Sequence, residues 1–475
     1  MREHMKFYID GEWVAAMGDA KLSVINPATE AVAGRIALGS GADVNLAVGA
    51  AKRAFASWSR SDRQQRVRVL QRIAAEYERR AGDLALAMTE EMGAPTSVSG
   101  GPQVDLGLVH LKSTVDVLLE FPFEEQRGRT VLRREGIGVC GLITPWNWPM
   151  NQIVCKVAPA IAAGCTVILK PSELAPFSAQ IWAEIVHEAG TPAGVFNMIQ
   201  GDGLGVGVAL STHPDVDLIS FTGSTRAGVE VARNAAPSVK RVCQELGGKS
   251  PLIIFDDDRF ADGVAFGVKE VMYNSGQDCG APTRILVPRH RMDEAIGIAG
   301  KIAAGLTVGD PLSDPDLGPV VSQAQFEKVQ CLIEAGIAEG ATLVTGGLGR
   351  PEGLDRGYYV KPTVFANVSN NMRIAREEIF GPVASILSYD NLEDAVAIGN
   401  DTDYGLCSYI WGADAKTIDR IAIQLRSGRV KVNDAAGDPM APYGGYKRSG
   451  NGREFGEFGL AEFLEVKAIV RPAVS

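Results

Sequence analysis

The chain has 475 residues, 46% of them hydrophobic and 22% charged, with a formal net charge of −10. Such a length accommodates two or three domains around sizeable cores. The acidic balance argues against nucleic acid or an anionic membrane surface as partner; it leaves anionic ligands open, since backbone amides bind phosphate without net basic charge.

The N-terminal MREHMKFYIDGEW contains no apolar run and does not read as a secretory signal. Residues 61–93 read as one long amphipathic helix. Ser61 and Gln64 form a capping box, Val67, Leu70, Ile73 and Tyr77 recur at helical spacing, and Gly93 and Pro95 end it. Next comes GRTVLRREGIGV (128–139), strand-like and isolated in sequence, as is AEFLEVKAIV (461–470) near the C-terminus. Pattern alone leaves two readings for this pair, an edge strand or a reach across to another subunit.

From about 137 to 255 the pattern changes. Short β-rich runs (GVCGLIT, CTVILK, VFNMIQG, LISFTG, SPLIIF) alternate with helical stretches near 151–164, 177–190, 202–211 and 224–236. Strands spaced by helices imply a parallel, doubly wound sheet, which binds ligands at the carboxyl ends of its strands. The apolar stretch VAPAIAAGCTVIL carries an internal proline and is too short to span a bilayer. Residues 256–432 repeat the alternation: TRILVP, ATLVTGG and ASILSY as strands, RMDEAIGIAGKIAAGL and SQAQFEKVQCLIEAGIAEG as helices. This is a second α/β domain.

Two glycine motifs need separating. GIGVCG (136–141) has dinucleotide-fingerprint spacing but runs into a strand rather than from strand to helix, and is rejected. GDGLGVG (201–207) has the better context and the wrong spacing, with Val206 in the third glycine's place. FTGS is more informative: a strand ends, Gly223 turns, and Ser224 can cap a helix whose free N–H groups suit a pyrophosphate. Lys170 and Glu173, in KPSE, stand at another strand end where ribose hydroxyls could be bound.

The seven cysteines share no CxxC spacing, which argues against a disulfide framework or zinc site and fits a reducing cytoplasm. The five histidines form no metal motif. Cys279 differs from the other cysteines, because NSGQDCGAPTR is too polar and Gly-rich for core. A nucleophilic thiol needs an oxyanion stabiliser and, for hydrolysis, a base. Asn147, on the Pro-bounded turn of TPWNWP, and Glu245, beside two glycines in QELGGKSP, are candidates.

Taken together, PWNWP, KPSE, FTGS, ELGGKSP, GQDC, EEIFGP and PYGGYKRSGNGRE, in this order, resemble the aldehyde dehydrogenase superfamily from about residue 5 to the C-terminus. Within it the chain looks closest to bacterial enzymes acting on semialdehydes or longer ω-oxo acids. The resemblance implies an α/β fold of two doubly wound domains plus a small β oligomerisation arm. A nucleotide domain would span 1–117 and 137–247, a catalytic domain 248–447, and the arm with its C-terminal return 118–136 and 448–475. It implies Cys279 as nucleophile, Asn147 with the Cys279 N–H as oxyanion hole, and Glu245 as general base. Glu378, with Phe380 beside it, would bind the nicotinamide ribose. Lys170 and Glu173 would take the adenine ribose, and Trp146, Gly223 and Ser224 would stand near the pyrophosphate. Trp148, Gln152, Cys155, Asp278 and Tyr443 would line the substrate channel, with Gln152 and Cys155 on its far wall.

The implied reaction is oxidation of an aldehyde to the acid with NAD, with NADP as the alternative cofactor, in a homodimer or homotetramer. Glu173 favours NAD, because a carboxylate there repels a 2′-phosphate. Asp278, next to the nucleophile, is expected to raise the thiol's pKa and to discourage substrates carboxylated close to the reacting carbon. Two rival readings stand beside this one: a catalytically silent structural relative, and a thioester or ester hydrolase without redox chemistry.

Overall fold

The computed structural model describes residues 1–472; the last three residues of the expected C-terminal return lie outside them. The apolar runs become two large sheets. The first has eight strands, in the spatial order Gly450–Asn451, Arg241–Glu245, Leu218–Thr222, Val139–Ile143, Thr166–Lys170, Phe196–Met198, Lys6–Ile9 and Glu12–Ala15. Its five central strands are parallel, and all are apolar on both faces except the more open Arg241–Glu245. That double burial follows from the helices packed on each side.

From Val139–Ile143 the chain winds outward through Thr166–Lys170 and Phe196–Met198, then returns to place Leu218–Thr222 on the other side. The order therefore reverses between Val139–Ile143 and Leu218–Thr222, and a crevice opens at their carboxyl ends. The second sheet has seven strands: Thr342–Thr345, Thr363–Ala366, Val383–Tyr389, Arg284–Pro288, Pro251–Ile254, Cys407–Trp411 and Arg429–Val432. All its pairings are parallel except that of Thr342–Thr345 at one edge.

The two strand-like segments isolated in sequence pair with each other. Leu464–Val470 runs antiparallel to Thr130–Gly136, and Glu124–Arg127 completes a small three-stranded sheet. Val466 and Val470 on it are well exposed, at 62% and 73%.

The single helix expected over 61–93 is two helices, Arg63–Arg79 and Ala81–Met92. Arg80 leaves helical geometry between them (φ −100°, ψ 9°), and its guanidinium fans out to Asp83 and Glu184. The first helix is capped by Asp62, which accepts from the Gln65 N–H, while Ser61 donates to the Trp58 carbonyl instead of capping.

One packing detail reaches the site. Residues Ser99–Gln103 form a π-helical turn broken at Gly101 and followed by the helix Val104–Glu120. The buried Tyr77 hydroxyl donates to the Val104 carbonyl at 2.8 Å, tying this kink to the helix Arg63–Arg79. Next to it, Gln103 reaches out to the Asn147 backbone. Tyr77→Phe removes this buried hydrogen bond, while the carbonyl keeps its place in the helical ladder, and is expected to lower the unfolding free energy by about 0.5–1.5 kcal/mol. Denaturant unfolding checks this; an unchanged midpoint would show that the kink does not depend on the bond.

Candidate active site

The connector after strand Arg241–Glu245 carries the chain from the carboxyl edge of the first sheet to the start of the second, at Pro251–Ile254. Cys279 lies on the loop leading into the neighbouring strand Arg284–Pro288. Glu245, ending one strand, and Cys279, preceding another, therefore meet where the sheets adjoin. Sγ lies 3.9 Å from Glu245 Oε2 and 3.4 Å from the Tyr443 hydroxyl.

The loop that carries Cys279 is held under backbone strain. Asn274, Ser275 and Gly276 are consecutive residues with φ of 52°, 56° and 72°. Only the glycine adopts that region at no steric cost, and it also has no room for a side chain: a Cβ would stand 2.1 Å from the Gly381 carbonyl carbon. The Ser275 hydroxyl donates to the Gly318 carbonyl at 2.9 Å, and Gln277 Oε1 accepts from the Val321 N–H at 2.8 Å.

Asn147 follows strand Val139–Ile143 and is buried. Its Nδ2 donates to the Gln277 carbonyl at 3.1 Å, beside the thiol loop. Its own carbonyl accepts from Gln103 Nε2 at 2.9 Å and Asn274 Nδ2 at 3.1 Å. Gln103 and Asn274 were not singled out from sequence; both come from distant segments, and only the folded chain brings them here.

Cys279 opens on two cavities. One is lined by Trp146, Asn147, Thr222, Gly223, Ser224, Gly247, Glu378 and Phe380, at the reversal point of the first sheet. Ser224 caps the helix Thr225–Ala235 by accepting from Ala227 N–H. Phe380 adopts φ 60°, held by Gln325 Nε2 bonding its carbonyl at 2.7 Å, and its ring meets Trp146 edge-on. Glu378 accepts from the Gly248 N–H at 2.9 Å. Lys170 and Glu173 pair at 2.7 Å at the end of the adjacent strand, and do not line this cavity.

The other cavity, about 340 Å³, lies within the range of small-molecule sites. Trp148, Gln152, Asp278, Tyr443 and Arg429 line it together with Cys279. Asp278 accepts from Trp148 Nε1 at 3.1 Å and from the Gly280 N–H at 2.6 Å. His110, stacked on Phe455, is kept neutral here because burial lowers its pKa to about 4. Cys155, expected on the far wall, does not line this cavity. Nearly one turn beyond Gln152 on the helix Pro149–Ala163, its thiol instead meets Glu454 at 3.4 Å. There it borders a small inner chamber with Glu245, Lys156, Glu454 and Glu462.

Burial pushes the Glu245 carboxyl well above its ordinary range, with the Glu454 charge adding to the effect. The fully buried Lys156 ammonium pairs with Glu454 directly behind it. Burial likewise raises the Cys279 thiol, reinforced by Glu245 and then Asp278; the Tyr443 hydroxyl opposes them. Both shifts disfavour the charged forms, so burial works against thiolate and carboxylate alike.

Comparison with known proteins agrees with this geometry. The model of the aldehyde dehydrogenase family matches residues 13–469. A 3-succinoylsemialdehyde-pyridine dehydrogenase from a Pseudomonas species is 52% identical, covering 99% of each chain. A mutant of aldehyde dehydrogenase C from Pseudomonas syringae, solved with NAD+ and octanal, superposes with a TM-score of 0.98 at 52% identity, over 99% of this chain and 98% of that one. An aldehyde dehydrogenase from Mycobacterium tuberculosis, solved with NAD+, gives 0.96 at 39% identity over 99% and 98% of the two chains. On the site, the fold and these relatives, the chain belongs to the aldehyde dehydrogenase family.

Proposed function

We propose that this chain oxidises an aldehyde to the carboxylic acid with NAD, through an acyl group carried on Cys279 and released by water. The observation that carries the reading is a single thiol shared by two cavities, one at the reversal point of a doubly wound sheet and one lined by aromatic and polar side chains.

The first cavity fits a dinucleotide. Thr222 Oγ1 is buried there without a partner, and a Cβ on Gly247 would meet the Glu378 carboxylate at 2.5 Å, so the backbone can be approached closely. The Ser224-capped helix offers N–H groups to phosphate. Glu378 would hold the nicotinamide ribose and the Lys170–Glu173 pair the adenine ribose, with Trp146, Gly223, Ser224 and Phe380 between them. The bound nucleotide supplies the acceptor for the aldehyde's hydride. In the domain terms of the resemblance, 1–117 with 137–247 serve the nucleotide and 248–447 carry the thiol.

The chain's own residues perform the rest. Cys279 Sγ, once deprotonated, bonds to the carbonyl carbon, and the oxygen becomes an oxyanion. Asn147 Nδ2 and the Cys279 N–H hold that charge; one such donor is worth roughly 10²–10³ in rate. Loss of hydride leaves a thioester on Sγ. The 3.9 Å gap between Sγ and Glu245 is too long for a strong hydrogen bond, and Glu245, in its ionised form, is placed to take a proton from water. The water oxygen bonds to the acyl carbon and the thiolate leaves. The substrate cavity would accept an aliphatic aldehyde or an ω-oxo acid, two classes in keeping with the octanal and semialdehyde named for the relatives.

The exposed apolar residues of the small sheet support a homodimer or homotetramer, and seven free cysteines fit a cytoplasmic setting. Sedimentation is expected to give a dimer or tetramer that Val466→Lys weakens; a monomeric wild type overturns this.

Cys279→Ser is expected to abolish NADH formation. Glu245→Gln is expected to give one rapid turnover per site followed by a steady rate lower by roughly 10²–10⁴. NADP in the same assay is expected to perform worse than NAD. Undiminished turnover by Cys279→Ser removes the thiol from the reaction, and NADH formation by no aldehyde favours the silent or hydrolytic alternatives.

The pH dependence follows from the two raised groups. Both lose their protons more readily as pH rises, so kcat/KM rises with pH as the Cys279 thiolate is populated. Asp278→Asn removes one negative neighbour, so the thiol ionises more readily and the rising limb moves to lower pH. A limb that stays put or moves upward contradicts the role given to Asp278.

A further inference from the structure

The cavity that holds Trp148 and Asp278 also contains a cation that makes no direct ion pair, although the charges of Asp278 and Glu270 reach it. Arg429 opens the edge strand Arg429–Val432, directly opposite Cys407 on the adjacent strand. Strand alternation places Arg429 and Lys431 on one face. Lys431 has its counter-charge, Glu270 at 3.8 Å. Among the described residues, no carboxylate lies within 4.0 Å of Arg429. Its Nε is buried with no hydrogen-bond partner, and its guanidinium stacks 4.7 Å from the Tyr443 ring centroid. The Tyr443 hydroxyl touches Cys279 Sγ, so one aromatic ring separates this charge from the nucleophile.

We propose that Arg429 binds the carboxylate of a bifunctional substrate, an ω-oxo acid whose aldehyde carbon lies at Cys279. The proposal rests on the aldehyde-oxidising reading above and names the substrate class. A half-buried guanidinium without a direct ion pair is an incomplete site, because charges withdrawn from water are normally paired and Asp278 reaches it only at longer range. Its planar fork matches a carboxylate in two parallel hydrogen bonds. No lysine or other arginine among the described residues lines this cavity. Two like charges face such a tail, Asp278 and Asp438; Asp278 already accepts from Trp148 and Gly280, and Asp438 from the Met440 N–H. A direct ion pair in fork geometry is the stronger effect. Asp278 then acts as a short-range filter: it opposes a carboxylate close to the aldehyde and tolerates one that reaches Arg429.

The test compares kcat/KM for a ladder of ω-oxo acids, from succinate semialdehyde upward, with their methyl esters and with straight alkanals of matching length. The wild type is expected to prefer acid over ester at one or more lengths. In Arg429→Met that acid-to-ester ratio is expected to fall roughly 10- to 100-fold, the range of a charge-assisted hydrogen bond. Arg429→Lys, keeping the charge without the fork, should fall between. A wild-type ratio at or below unity along the whole ladder overturns the proposal even if the variants fail to fold, as does a ratio unchanged by Arg429→Met. Alkanal oxidation with a flat ratio overturns this proposal alone. NADH formation from none of the aldehydes overturns the oxidation reading, and this inference with it.

Discussion

The close approach of two glycines in one connector to the loops around them is the constraint on which the site depends. A Cβ on Gly248 would lie 2.3 Å from the Cys279 carbonyl oxygen, and one on Gly247 would lie 2.5 Å from the Glu378 carboxylate. Neither glycine has a positive φ, so the requirement is for space rather than for an unusual backbone. Any side chain there would push the thiol loop away from Glu245, or Glu378 away from the nucleotide cavity. Because the connector also joins the two sheets, the distance between the proposed nucleophile and base is set by the fold and not by a mobile segment.

That placement is reinforced by strain. Asn274 and Ser275 each hold a left-handed conformation, at roughly 1–2 kcal/mol apiece. The compensation is a shared set of hydrogen bonds. Asn274 donates to the Asn147 carbonyl, Asn147 donates to the Gln277 carbonyl, and Gln277 in turn bonds Asn274 and Val321. The loop bearing the proposed oxyanion donor and the loop bearing the thiol are therefore one hydrogen-bonded unit, and a displacement of either moves both.

Motifs confined to a few consecutive residues were legible in the sequence because strand-end chemistry is local. GQDC, PWNWP, FTGS and EEIFGP all stand at turns beside sheet strands, and the structure brings their key side chains to one thiol and its two cavities. Features made by distant segments were not legible. Gln103 supports Asn147 across 44 positions and a π-helical kink. The strand Arg241–Glu245 escaped notice because its polar residues do not form the apolar run expected of a buried strand; Arg241 is tied to the carbonyls of Glu462 and Leu464, far along the chain. Cys155 was misplaced because sequence spacing cannot say to which neighbour a helical side chain turns, and Glu454 attracts it away from the substrate cavity. The long helix over 61–93 failed at Arg80, where salt bridges reaching a different helix outweigh helical continuity.

The charges around the thiol form an arrangement that no single motif reveals. Three carboxyl groups, those of Glu245, Asp278 and Glu454, lie close enough to influence Cys279 or its neighbours, and an ionised sulfur among them would be a fourth negative charge. Burial makes each such charge more expensive. The fold responds differently at each position. Glu454 is matched by Lys156, Asp278 is hydrogen-bonded by Trp148 and Gly280, and the Glu245 carboxyl is pushed up by burial. The thiol is pushed up by burial and these carboxyls, and the Tyr443 hydroxyl opposes them. A resting sulfur of this kind reacts poorly with stray electrophiles, since the thiolate is the nucleophile. Its ionisation must come with a change in the surrounding charge, and the two cavities that open on it are the places where that change can enter. Arg429, behind Tyr443, is a positive charge already in position on the substrate side.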